Sequence, residues 1–263
     1  MRILIAGFPH SGTSILRKII GNHPRILDYH EREIVSYRES SRLARLARML
    51  TGRYRGKENI VFKWPFHDVE HRTNADRIIY IIRNPFDVFG SLRLRFGDVL
   101  PDNHRPDAWQ AYARYFLDKP VSDRHFKIRY EDLFARNFNV LQQAMAWMGL
   151  DWRDEMLETE SRYAPIQYYG GLPRQEPPRI EHGAFRAWQT AQKLSDKTGQ
   201  SRRHLDEASR TLFSAMPETA LLGYSAHDGP APAYVPRKKR FTRSTAQEAA
   251  DQPQPRSLGA FST

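Results

Sequence analysis

Ser11, Thr13 and Ser14, grouped around Gly12 and preceded by Pro9 and His10, are the residues of this chain best suited to holding an anion. Hydroxyls and the unpaired amides at the start of a helix are neutral donors that converge on a phosphate or sulfate. Gly7, four residues, Gly12 and then Thr13-Ser14 come close to the Walker pattern, in which a lysine follows the second glycine. Thr13 stands in the lysine's place, so the charge that reaches the outer phosphates of a nucleoside triphosphate is missing. Metal-dependent nucleoside triphosphate chemistry is disfavoured accordingly. The competing reading is an ordinary strand, Gly-Ser turn and helix.

A second set of chemically capable residues follows. Arg83 carries a planar fork that matches a phosphate, and Ser91, eight residues on, adds a hydroxyl; together they can grip one phosphate at some distance from the first loop. Two such sites imply a ligand with two phosphate ends. A salt bridge from Arg83 to Asp87 is the competing reading. Lys63 closes another apolar run, where a solvated lysine at a strand end is the plain alternative.

These residues need elements that deliver them to one place. Ile3–Ala6, Ile60–Lys63 and Arg77–Ile82 are short, almost wholly apolar runs, as buried parallel strands are, and each ends at one of the chemical residues. Ligands of α/β sheets bind at the carboxyl ends of such strands. Apolar residues at 15, 16, 19 and 20 give a helical stripe that Asn22-His23-Pro24 ends. Pro85 suits a first helical turn, continued by Val88, Phe89 and Leu92. Phe126–Tyr130 reads as a further strand, with Glu131-Asp132-Leu133 opening a capped helix. Arg38 to Arg55 reads as an arginine-rich helix with Leu43, Leu46, Ala47 and Leu50 on its apolar side.

Composition sets the remaining bounds. A chain of 263 residues, 40% apolar with five Trp, can bury the core of one large domain. A formal charge of +11 suits polyanionic ligands without choosing among nucleotide, nucleic acid, acidic glycan and membrane surface. With no cysteine there is no disulfide, thiolate nucleophile or cysteine metal site, and the ten His lack zinc-site spacing. The opening apolar stretch is too short for a signal peptide and no run reaches a membrane span, so a cytoplasmic protein is expected. We read residues 1–225 as the catalytic domain and 226–263 as a disordered basic tail rich in Pro, Ala and Ser, with Arg237-Lys238-Lys239-Arg240 available to an anionic surface.

In their order, Pro9–Ser14, Arg83–Ser91 and Ile128–Leu133 resemble the PAPS-dependent sulfotransferase superfamily, over roughly residues 2–150 and more weakly to about 195. Through His23-Pro24, Glu31 and Lys63-Trp64-Pro65-Phe66 the chain is most similar to the tyrosylprotein sulfotransferase type and its bacterial relatives. The resemblance implies a P-loop-like three-layer α/β sandwich, with a central parallel sheet of about five strands flanked by helices. It implies 3′-phosphoadenosine-5′-phosphosulfate (PAPS) as sulfate donor and no metal. Pro9, His10, Ser11, Gly12, Thr13 and Ser14 would then hold the 5′-phosphosulfate, and Arg83 and Ser91 the 3′-phosphate.

The same resemblance makes Glu31 the catalytic base, with Glu33 as competitor, and sets Lys63 beside the transferring group. Arg179 and Arg186, after the Gly170-Gly171-Leu172-Pro173 stretch and near His182 and Trp188, are assigned to phosphate contact because relatives close the site with such a segment. His10 departs from the relatives, which carry arginine or lysine there; flanking phosphates would favour its protonated form, and it is expected to serve as cation or acid. The expected reaction is in-line transfer to a hydroxyl or amine of a carbohydrate, peptide or small metabolite. A kinase with a degenerate P-loop and a non-enzymatic polyanion-binding protein are the alternatives.

Overall fold

The structure, a computed structural model, describes residues 1–28, 57–65, 74–158 and 194–226. Glu31, Glu33, the helix expected between Arg38 and Arg55, Arg179, His182, Arg186, Trp188 and the basic tail lie outside the described residues.

Five strands form one sheet in the order β2-β3-β1-β4-β5, every pair parallel. They are β1 (Arg2–Gly7), β2 (Ile26–Asp28), β3 (Asn59–Pro65), β4 (Arg77–Ile82) and β5 (His125–Arg129). β1 and β4 lie side by side inside the sheet, and Ile3, Leu4, Ile5, Ile78, Ile79 and Tyr80 are fully buried, which is why both read as continuous apolar runs instead of alternating ones. β2 escaped the sequence reading because three residues carry no periodicity.

Helix α1 (Thr13–Gly21) lies across β1, β2 and β3 with Leu16, Ile19 and Ile20 buried. On the other face pack α2 (Pro85–Phe96) and α3 (Pro106–Asp118), with α5 (Glu207–Ala215) and α6 (Pro217–Leu221) behind them; α4 (Asn139–Trp147) follows β5. Alternation along the strands sends Leu4, Ala6, Phe62, Ile78, Tyr80 and Ile82 into the α2 and α3 side. There Phe89 stacks on Phe213 at 4.6 Å and Phe86 meets the same ring edge-on at 5.8 Å.

The sheet order changes direction at β1. The next strands after β1 lie to one side of it and β4 and β5 to the other, which opens a crevice at the carboxyl ends of β1 and β4. Tyr112 of α3 closes its floor: its hydroxyl lies 3.2 Å from the Ala6 carbonyl and 3.0 Å from that of Ile81, sharing one proton between two strands. Burial raises its pKa well above the ordinary tyrosine value, so the proton stays.

One expected element differs. β5 stops at Arg129, and 130–132 form a single 3₁₀ turn in place of a capped helix. Glu131 is occupied elsewhere: its Oε1 accepts from the backbone N of Asn84, 2.9 Å away and 47 residues earlier.

Candidate active site

Loop 7–14 is built by two glycines with different tasks. A Cβ on Gly7 would stand 2.7 Å from both the Ile81 carbonyl and Thr13 Cγ2, so any side chain there would separate β1 from β4. Gly12 caps α1 at φ +95°, and its missing Cβ would stand 2.4 Å from the Tyr130 ring. A left-handed residue pressed against an aromatic face is open to glycine alone. His10 also has positive φ, 64°. Ser11 is fully buried, and its Oγ meets no hydrogen-bond partner among the described residues. A buried hydroxyl left unmatched in a loop of helix-start amides is what an absent anion would satisfy.

Lys63 reaches this loop from β3, where it is in register with Ile5. It is buried, and its Nζ donates to Ser14 Oγ at 2.8 Å. An ammonium has no acceptor, so the serine accepts and keeps its own proton to donate elsewhere.

The second set lies against the first instead of standing apart from it. β4 is hydrogen-bonded directly to β1, so the strand exits are one inter-strand spacing apart. Ser91 Oγ is 2.8 Å from His10 Nδ1, and Arg83 Nη1 donates to the His10 carbonyl at 3.3 Å. The two groups of residues therefore touch at His10, which sequence spacing could not show because strand neighbours are a tertiary fact.

Arg83 is buried, donates from Nη2 to the Lys197 carbonyl at 2.7 Å, and lies over the Tyr130 ring at 4.2 Å. Its Nε has no hydrogen-bond partner among the described residues. The salt bridge to Asp87 is not formed. Asp87 instead takes Arg202, 3.0 Å away, and the backbone N of Gly199 at 2.9 Å. Gly90 permits this approach, since a Cβ there would stand 2.0 Å from the Ser201 carbonyl.

Tyr130, Glu131, Asp87, Arg95 and the 194–202 segment are the parts that sequence reasoning missed. Tyr130 joins the loop, the arginine and the 194–202 segment: Gly12 leans on its ring, Arg83 covers it, and its hydroxyl accepts from Lys197 N at 3.1 Å. Burial pushes its pKa up to about 12, so it stays a neutral phenol. Glu131 is likewise raised by burial while it holds the entry to α2, whose Asn84 cap accepts from Phe86 N at 3.1 Å. Arg95, one turn beyond Ser91, places Nη1 3.4 Å from His10 Nε2. The arginine in that helix was visible in the sequence, but its distance from His10 was not.

His23 has a scaffolding place. It is fully buried, its Nδ1 accepts from Arg25 N at 3.2 Å and its Nε2 lies 3.2 Å from Asp151 Oδ1, tying the end of α1 to the turn after α4. Among the described residues no group of His, Cys, Asp and Glu could hold a metal ion. No helix among them is long and apolar enough to cross a membrane.

The family model described as a sulfotransferase domain matches residues 1–222. No curated protein matches the chain. Among solved structures it is similar to the sulfotransferase domain from the curacin biosynthetic pathway, with 18% identity over 85% of this chain and 97% of that one and a TM-score of 0.46. It is also similar to the sulfotransferase domain of the Synechococcus PCC 7002 olefin synthase, at 17% identity over 74% and 96% with a TM-score of 0.43. A mouse sulfotransferase complexed with PAP matches at 20% identity over 60% and 61%, with a TM-score of 0.38. With the family model spanning residues 1–222 of 263, the chain belongs to the sulfotransferase domain family.

Proposed function

We propose that this sulfotransferase holds PAPS across the β1 and β4 strand exits and transfers its sulfuryl group to a hydroxyl or amine of a carbohydrate, peptide or small metabolite. The observation that carries the reading is the convergence of two anion-ready groups of residues on His10: Ser11–Ser14 from one side, Arg83 and Ser91 from the other. The unmatched Ser11 Oγ and Arg83 Nε fit a phosphorylated ligand.

When bound, PAPS supplies a sulfuryl group joined to a phosphate oxygen that must leave with growing negative charge. The residues at hand meet that charge. The amides of the loop and the hydroxyls of Ser11, Thr13 and Ser14 are fixed donors, and donors already oriented cost no reorganisation during reaction. Lys63 adds charge and orients the Ser14 hydroxyl. Arg83 would bind the 3′-phosphate with Ser91, held in place by Tyr130 and Lys197. Glu31 would take the acceptor's proton, and Arg179 and Arg186 would add phosphate contacts; all three lie outside the described residues. We read residues 1–225 as the catalytic unit and the remainder as an accessory basic tail.

Two experiments test this. Adenosine 3′,5′-bisphosphate in the presence of EDTA should raise the melting temperature, by about 2.7 kcal/mol of stabilisation at ~100-fold above Kd. A response to magnesium-ATP alone would overturn the donor assignment. Glu31→Gln should lower turnover at least about a hundredfold with nucleotide affinity kept. A mild loss would remove Glu31 from the role. A screen with labelled PAPS over glycans, tyrosine peptides and phenols would identify the acceptor.

A further inference from the structure

His10 stands where the resemblance expects a fixed cation, and its ring lies between two residues of α2 separated by one helical turn. Ser91 Oγ is 2.8 Å from Nδ1 and Arg95 Nη1 is 3.4 Å from Nε2. A guanidinium only donates, so in the Arg95 contact Nε2 is the acceptor and carries no proton. A neutral imidazole with Nε2 bare has its proton on Nδ1, directed at Ser91. Ser91 Oγ then accepts, and its own proton is left to point elsewhere.

The aromatic packing holds this arrangement. The Phe96 ring lies under the Arg95 guanidinium at 4.5 Å and tilted against the His10 ring at 6.5 Å, and His104 meets Phe96 edge-on at 5.5 Å. Positive φ at His10 turns its side chain toward α2, and the Arg83 contact to its carbonyl holds the backbone there. Among the described residues two cations meet His10, Arg95 at the ring and Arg83 at the carbonyl, and a charge on the imidazole would be set against both.

We propose that Arg95 is a positioning residue that takes over the charge missing from position 10: it holds the His10 imidazole neutral, with the proton on Nδ1, so that Ser91 presents its hydroxyl proton to a donor phosphate. The inference rests on the donor reading above, and it revises the expectation that His10 itself becomes the cation. The full chain carries one tautomer before any ligand binds. Replacing His10 by arginine restores charge at the loop and makes Arg95 dispensable.

The test uses the full chain with ¹⁵N-labelled histidine, His10 being assigned by its loss in H10Q. At neutral pH the wild type should show Nδ1 protonated and Nε2 bare. Protons on both nitrogens, or on Nε2 alone, would overturn the proposal whatever the variants do. R95M should lose the single tautomer and, as for a lost charge-assisted hydrogen bond, lower turnover about tenfold, while R95K should retain both. In the H10R background, R95M should cost less than about threefold; an equal loss in both backgrounds would show that Arg95 acts independently of His10 and would also overturn the proposal. Binding of adenosine 3′,5′-bisphosphate to the wild type is scored separately. Its absence would remove the donor reading and leave the tautomer result standing.

Discussion

The two halves of the donor site are made in opposite ways. Loop 7–14 is largely local: a strand, two glycines and a helix start supply its amides and hydroxyls within eight residues, while Tyr130, Lys63, Arg83, Ser91 and Arg95 meet it from outside. The Arg83 to Ser91 half is assembled from distant chain. Lys197 takes the guanidinium, Glu131 holds Asn84, Arg202 neutralises Asp87, and the Ser225 carbonyl accepts from Asn84 Nδ2 at 2.9 Å. A local half changes ligand affinity without much change in folding. A half assembled at long range should lose both together.

The largest expected effect therefore belongs to Arg83→Met. It removes a buried fork from its carbonyl, its aromatic face and its ligand, and adenosine 3′,5′-bisphosphate affinity should fall about a hundredfold or more while the melting temperature also drops. Unchanged stability would break the contrast. Gly12→Ala follows, forcing a Cβ into the Tyr130 ring at a left-handed residue whose strain alone costs roughly 1–2 kcal/mol. Donor affinity should fall more than stability, and Tyr130→Ala in the same chain should recover part of it if the ring is the obstacle. Tyr130→Phe keeps the ring beneath Arg83 but leaves the Lys197 amide unmatched, a loss of about 1–3 kcal/mol by chemical denaturation with affinity reduced less.

Smaller effects belong to the scaffold. Burial lowers the His23 pKa below its ordinary 6.5, outweighing the raising effect of Asp151. The unfolded chain then takes up that proton first as pH falls, so this contribution is complete above about 6.5 and is lost as pH falls from there toward the lowered folded value. Melting temperature measured against pH should show a step that His23→Gln reduces. Asp206 caps α5 by accepting from Ser209 N at 2.8 Å, and its contacts with Ser209 and Arg93 hold its pKa down at about 2. Asp206→Ala should lower the melting temperature slightly, through the lost helix cap, and leave donor binding unchanged.

This contrast also explains what could be read from the residues. Strands β1, β3 and β4 were legible because they carry apolar runs that lead into Gly7, Lys63 and Arg83, whereas the sheet of about five parallel strands came from the family resemblance and β2 was not read at all. The first loop was legible because its chemistry and its geometry occupy the same few residues. Arg83 and Ser91 could be singled out, but not their neighbours: Asp87 stood four residues from Arg83 and was the obvious partner, whereas Arg202 takes it. Tyr130 was counted into a strand and Glu131 into a helix cap, since their contacts with Gly12, Arg83 and Asn84 cross 47 or more residues. Local patterning carries no trace of such closures.

Residues 222–226 give the long-range half a place in time. The Leu222 carbonyl accepts from Arg129, that of Ser225 from Asn84 and that of Ala226 from Arg202, each at 2.8–3.0 Å. During synthesis the first loop can be complete once Tyr130 has emerged, but the helix behind Arg83 cannot be clasped until the carbonyls of 222–226 have left the ribosome. A nascent chain halted before Ala226 would carry a finished phosphate loop beside an unfinished arginine grip, and competence for the donor would arrive only once these carbonyls had been made.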